Sequence, residues 1–496
     1  MALDEGSARE RNSACRSARN DFPPMGFQRY INCIQYEYNV ELIHTGEGIE
    51  MTANAMQRLS VSEDNRYLVK EDGTPFFWLG DTAWELFHKL NREEAELYLR
   101  NRAERGFTVV QAVALAELEG ITTPNAYGRL PLRKNDSGRW DPSLPDVRDG
   151  EYDYWRHVDY IVDLAAELGI YIALLPTWGD KYHLAWGKGP VIFDETNARA
   201  YGRWLGERYK DRPNVVWVLG GDRALTRIEH FLVVRAIAEG LRAGDGGRHL
   251  IGFHPKGGES SSHHVHDESW LDFNMIQSGH GIGERENYLR VRNDYTLTPV
   301  KPTLDAEPCY EDHPIGFDAR NGYFDEADVR KAAYYAVFSG AFGHTYGHHS
   351  VWCMSTGQFR SVELKEPGDY IIMHWKTALL RPGASQMRHL RTLMESRPAL
   401  SRVPDQSLLA DNYAGSNYMA ATRGEAYAFV YIPNGLAANV VLGKVAGTRV
   451  NASWFDPRTG SWIDAGERAN EGAATYVPPS AGRGNDWVLV LDGVEA

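Results

Sequence analysis

Residues 154–178, YWRHVDYIVDLAAELGIYIALLPTW, hold one complete passage from helix to strand. Val158, Ile161, Val162, Ala165 and Leu168 recur at helical spacing and make one apolar face. Gly169 follows as the expected C′ residue, where a left-handed backbone ends a helix. The next residues, IYIALLPTW, are apolar almost without a break, as in a parallel strand buried on both faces. A helix feeding directly into such a strand is half of a βα repeat, and the rest of the chain supplies the others.

Seven more strands of the same texture are predicted in order. Before it stand PFFWLGD (75–81) and FTVVQAVAL (107–115). After it come NVVWVLGGD (214–222), HLIGFHP (249–255), FNMIQSGH (273–280), KPTLDAEP (301–308) and GHTYGHHS (343–350). Eight strands with helices between them predict a (β/α)8 TIM barrel. Asn91 and Asp325 are expected N-caps, and a helix is expected around Asn287 to Tyr295. A barrel helix is expected through IIMHWKTALL (371–380), with a further short one to Met394. RLSVSEDNRYLVKEDGTPFFWLG (58–80) reads as short strands with turns at Glu63-Asp64-Asn65 and Asp72-Gly73, leading into the barrel.

The texture changes near Pro398. AYAFVYIP (426–433), NVVLGKV (439–445), TRVNASWFDP (448–457), GSWIDAG (460–466) and DWVLVLD (486–492) alternate apolar and polar residues between turn signals. They predict a small antiparallel all-β sandwich, with Trp454, Trp462 and Trp487 in its core or at a domain interface. The expected division is a 57–397 barrel and a 398–496 sandwich. Residues 1–56 show no period and are expected to be a dispensable, disordered extension. Met51 and Met56 stand just before the organised sequence, so the extension is also compatible with a misassigned start.

A chain of 496 residues with net charge −14 and no basic run is a poor match for nucleic acid. No apolar run is long enough to span a membrane, and no secretion signal opens the chain. Cys15, Cys33, Cys309 and Cys353 form no CxxC pair and read as reduced thiols in a cytoplasmic protein. His263, His264 and His266 lack a matching ligand set and read as a polar loop rather than a metal site. No cofactor is expected, and the sequence does not set an oligomeric state.

In a barrel of this kind function sits at the C-terminal ends of the strands. Those ends are loaded with polar and aromatic side chains: Asp81 and Trp84, then Glu117 and Glu119, then Trp178, Asp180 and Lys181. Asp222 and Arg223 end strand four, His254 strand five, and Gln277 and His280 strand six. Glu307 and Tyr310 belong to strand seven, and His344 and His348 to strand eight. Such a mixture suits a sugar, whose hydroxyls need polar partners and whose apolar face needs a flat ring. Cleaving a glycosidic bond needs two carboxyl groups, one to protonate the leaving oxygen and one to attack or to activate water. Asp222, behind Gly220 and Gly221, and Glu307, alone in an apolar strand end, are the expected pair. The alternatives are an N-cap role for Asp222 and a buried ion pair, with Arg223, for Glu307.

The order of motifs carries a resemblance. PFFWLGDTAWELFHKL (75–90), GFTVVQAVALAELEG (106–120), TPNAYGRLPL (123–132), LLPTWGDKY (174–182), VVWVLGGDR (215–223), LDFNMIQSGH (271–280), DAEPCYEDHP (305–314) and AFGHTYGHHSVW (341–352) resemble glycoside hydrolase family 140, the apiosidase-like proteins. The resemblance runs from about Arg58 to the C-terminus, where the tail is similar to the small β domain, labelled collagen-binding, that follows these barrels. It implies exo-acting removal of apiose, a branched furanose of plant glycans and glycosides, and a small sugar, oligosaccharide or glycoside as partner. It also implies that Asp222 is the acid/base and Glu307 its partner, the nucleophile. After Arg223 this chain has Ala224 where the family pattern has Asn, a departure that bears on substrate preference. An arabinofuranosidase-type enzyme and a non-catalytic carbohydrate-binding barrel are the competing expectations.

Overall fold

The computed structural model describes residues 56–282, 286–357 and 373–495. The extension expected over residues 1–56 lies outside them except for Met56.

Eight parallel strands close into a barrel: β1 (Trp78–Thr82), β2 (Val109–Val113), β3 (Tyr171–Leu175), β4 (Val215–Gly220), β5 (Ile251–His254), β6 (Phe273–Gln277), β7 (Thr303–Asp305) and β8 (Gly343–Tyr346). Pairing of β8 with β1 and of β5 with β6 completes the ring. Each strand lies within the segment expected of it, except that β1 runs one residue further, to Thr82. The apolar runs are explained by burial on both faces. Val109 and Val113 of β2, and Val216 and Val218 of β4, fill the barrel interior with Trp78, Phe273 and Met275. Their neighbours Val110, Ala112, Val215, Trp217 and Leu219 pack outward under the helices. Each fully buried aliphatic side chain of this kind stabilises the fold by roughly 1.5–3 kcal/mol.

The outer layer is α1 (Arg92–Glu104), α2 (Tyr154–Glu167), α3 (Glu195–Tyr209), α4 (Ile228–Asp245), α5 (Ser262–Val265), α6 (Asn287–Tyr295), α7 (Glu326–Phe338) and α8 (Pro382–Glu395). Asn91 and Asp325 both form capping boxes, with Glu94 and Asp328 respectively. Gly169 has φ +73° after α2. The helix expected through residues 371–380 is only Trp375–Ala378 where the structure describes it. The barrel's closing helix is instead α8, which opens with Pro382 in its first turn. Proline there fixes a favourable φ and gives up only an N–H that has no helical partner.

A three-stranded antiparallel sheet, Leu59–Val61, Leu68–Lys70 and Pro75–Phe76, precedes the barrel. After it, six antiparallel strands from Val403 to Val494 face a two-stranded sheet, Ala438–Val441 with Ala473–Tyr476. Val430, Val440, Trp454, Tyr476 and Trp487 share the core between the two sheets. Trp462 does not join them. It lies on the edge strand Trp462–Ala469, exposed, with its ring against Phe455.

Candidate active site

The C-terminal end of β4 is shaped by two glycines. A Cβ on Gly220 would stand 2.2 Å from the His254 carbonyl oxygen, and one on Gly221 would stand 2.8 Å from the Gly179 nitrogen. Both have positive φ, 92° and 103°, and Asp222 follows at +55°. That conformation is uncommon for a side-chain-bearing residue but tolerated by Asp. It turns the Asp222 carboxyl over the barrel mouth. Arg227 holds the N-cap position of helix α4, with no side-chain cap hydrogen bond, so Asp222 does not act as its N-cap. Asp222 Oδ2 accepts from Trp186 Nε1 at 3.1 Å and from Arg223 Nη1 at 3.2 Å. Burial first, and then the negative charge of Glu307, hold its carboxyl above the ordinary aspartate value.

Glu307 leaves the end of β7 into the same mouth. Its partners are histidines and not Arg223. His280 Nε2 lies 3.3 Å from Oε1 and His254 Nε2 lies 2.9 Å from Oε2. Burial would raise this carboxyl, but the hydrogen bonding and charge of the two histidines outweigh it and hold it at about 2. Strands β4 and β7 are not opposite each other in the ring. They are three places apart, with β5 and β6 between, and those two strands deliver the intervening histidines.

Beneath this pair is an aromatic floor. The Trp84 ring lies 5.0 Å from Trp178 and 5.3 Å from His254. Tyr310 lies 4.5 Å from His280, and burial and then the Glu307 charge push its phenol far up. Gln277 ends β6 facing inward, its buried Oε1 without a partner among the described residues. Glu117 reaches in after β2, 3.8 Å from Arg223 Nη2. Burial and the nearby Asp222 charge raise its carboxyl to about 8.

Six expected ligands are placed elsewhere. Asp81 points out of the barrel into α1, where its Oδ2 accepts from Tyr98 at 2.5 Å and Arg102 at 2.6 Å. His344 also turns outward, because Thr345 beside it faces inward to Trp78. Burial lowers its imidazole to about 3, and neither ring nitrogen has a partner among the described residues. Glu119 is exposed and touches Thr123. Asp180 and Lys181 neutralise each other at 2.7 Å inside the loop after β3. His348 spends both ring nitrogens on Asp312 and the Ser350 amide.

Sequence reading missed Trp186, whose ring covers Arg223 at 4.0 Å, and His313, which stacks on His280 at 4.2 Å. An exposed tryptophan followed by glycine, as in AWGKG (185–189), was the available signal for the first. Among the described residues no cluster of His, Cys, Asp or Glu could hold a metal ion. The histidines of residues 263–266 are used locally, His264 on Glu259 and His266 on Asn274 and the Pro299 carbonyl.

A closed βα barrel with carboxyls and aromatic rings at its C-terminal mouth is the architecture of a glycoside hydrolase, and comparison with known proteins agrees. The family model described as "Apiosidase-like, catalytic domain" matches residues 62–401, and the chain belongs to that family. Residues 403–492 match the model described as "Putative collagen-binding domain of a collagenase". A solved structure described as a glycoside hydrolase family 5 protein from Bacteroides vulgatus is 36% identical, with a TM-score of 0.79, over 88% of this chain and 92% of its own. A second, described as a glycoside hydrolase, is 35% identical with a TM-score of 0.77, over 88% of this chain and 97% of its own. No curated protein matches. No helix among the described residues is long and apolar enough to cross a membrane.

Proposed function

We propose that this glycoside hydrolase removes a terminal furanoside, apiose, from a plant-derived glycan or glycoside, with Asp222 as acid/base and Glu307 as nucleophile. The observation that carries the roles is the opposite pull on the two carboxyls. Glu307 is held ionised at about 2, while Asp222 is held above its ordinary value. Pairs whose environments drive them apart divide into a base and an acid. The sugar identity rests on membership of the apiosidase-like family.

In the first step a Glu307 oxygen bonds to the anomeric carbon as the bond from that carbon to the leaving oxygen breaks. The proton of Asp222 goes to the leaving oxygen. In the second step water bonds to the anomeric carbon, Glu307 departs as carboxylate, and the water's proton returns to Asp222. Arg223 and Trp186 orient the Asp222 carboxyl. Trp84, Trp178 and Gln277 line the floor for the sugar, with Glu117 and Tyr310 at its sides.

The test is turnover of aryl apiosides beside aryl arabinofuranosides, with product stereochemistry followed by NMR. Apioside cleavage with the anomeric configuration retained is expected. Asp222→Asn and Glu307→Gln should each fold and lose kcat by about two or more orders of magnitude. Near-normal turnover by either variant overturns the assignment of that residue, and an inverted product overturns the covalent step.

A further inference from the structure

We infer that the loop after β3 carries the leaving-group subsite, with Trp186 as the platform for a flat apolar ring joined to the cleaved oxygen. This rests on Asp222 being the general acid and extends that reading beyond the scissile bond.

A general acid must reach the leaving oxygen, so the leaving group emerges on the side of the pocket where Asp222 stands. The side chain that grips that carboxyl from solvent is Trp186, through Nε1 on Oδ2 at 3.1 Å. The residue is 44% exposed, although it bonds the carboxyl at the centre of the site. Arg223 covers part of it, with the guanidinium 4.0 Å from the ring centroid. A tryptophan stacked there presents its remaining surface to whatever leaves the pocket.

The loop is pinned. Arg223 Nη2 donates to the Trp186 carbonyl at 2.7 Å. Asp180 Oδ2 accepts from the amides of Lys188 and Gly189 at 3.1 and 2.8 Å. The Asp180–Lys181 pair is therefore a loop anchor, which explains two buried charges that do not reach the substrate. A platform held in advance costs little entropy on binding.

Leu184 and Val191 flank Gly189 on the same loop and are 51% and 52% exposed. Single exposed apolar residues need no explanation, but this one pinned loop carries three. Four of its polar groups are turned inward: the Lys188 and Gly189 amides on Asp180, the Trp186 carbonyl on Arg223 and the indole N–H on Asp222. The indole N–H is thus spent on the acid, and what Trp186 offers a leaving group is its apolar face, on which an aromatic alcohol would lay its ring.

Methyl and benzyl glycosides of one sugar test this, because their leaving alcohols are of similar acidity and the ratio of kcat/KM reads ring binding. The wild type should favour benzyl by roughly tenfold. Trp186→Ala should bring the ratio near one. Trp186→Phe loses the N–H and slows both substrates, but keeps a ring and so most of the ratio. A wild-type ratio near one, or a ratio that Trp186→Ala leaves unchanged, overturns the subsite, as does preference for a disaccharide over the benzyl glycoside. If furanosides are spared and another sugar is cleaved, the same two alcohols on that sugar run the test, so the two failures are distinguishable.

Discussion

Glu307 shows how neighbours decide a side chain's protonation. Buried without partners, its carboxyl would rise; His254 and His280 reverse that and hold it at about 2. In its proposed role as nucleophile Glu307 works only when ionised, so activity on the acid side should fall as pH drops through its pKa. In the wild type that limb should lie well below the ordinary glutamate range. His254→Ala removes one of the two contacts, and the acid limb of kcat/KM should move upward by at least about one pH unit. A limb that stays in place would show that His254 does not tune the nucleophile. On the proposed roles the alkaline limb belongs to Asp222, which as the acid must hold its proton. Since its pKa is raised, activity should persist above the ordinary aspartate range before falling. Both residues stand out in the sequence because each closes an apolar strand, where a lone carboxyl is conspicuous. His344 and Asp81 sit on strands just as apolar, yet face outward. A strand buried on both sides has polar positions on either face, and composition alone does not say which face is the pocket.

The elements themselves were legible for the same reason that the facing was not. Continuous apolar runs mark buried parallel strands whichever way their side chains point, so all eight strands fall on the expected segments, β1 ending one residue later at Thr82. Helix α8 was less legible because its strongest signal, Pro382, reads equally as a stop for the preceding segment and as a first-turn start. Asp81 shows what an outward strand residue does at this scale. It ties β1 to α1 through Arg102 and Tyr98, with both charged partners fully buried. Asp81→Ala leaves the Arg102 guanidinium in the protein interior with no carboxylate, a loss of about 3–5 kcal/mol. The expected outcome is a lower denaturant midpoint with kcat of the folded enzyme kept. Lost turnover at unchanged stability would instead return Asp81 to the active site.

At the scale of the whole molecule, the change of texture near Pro398 was visible, but the contact between the two layers was not. It is built from residues hundreds of positions apart. Tyr334 of α7 stacks on Tyr431 of the C-terminal sheet at 4.8 Å, and Phe338 lies 6.1 Å from Phe429. In the middle Arg330 is clamped by Asp486, with Nη2 to Oδ1 at 2.5 Å and Nε to Oδ2 at 3.0 Å. Gln386 and Tyr431 complete the polar cluster. The C-terminal domain therefore covers α7 and α8, the helices flanking β8, and supplies no carboxylate to the barrel mouth. Asp486→Ala strands a buried guanidinium against aromatic rings and should cost about 3–5 kcal/mol. If that cost comes from the orphaned charge rather than from lost packing, removing the second charge should return much of it. Arg330→Met with Asp486→Leu replaces the pair by apolar groups of similar size, and such exchanges are often neutral. The double variant should therefore melt well above Asp486→Ala and close to the wild type. A double variant no more stable than the single one would show that the ion pair, and not the aromatic packing around it, fastens the two domains.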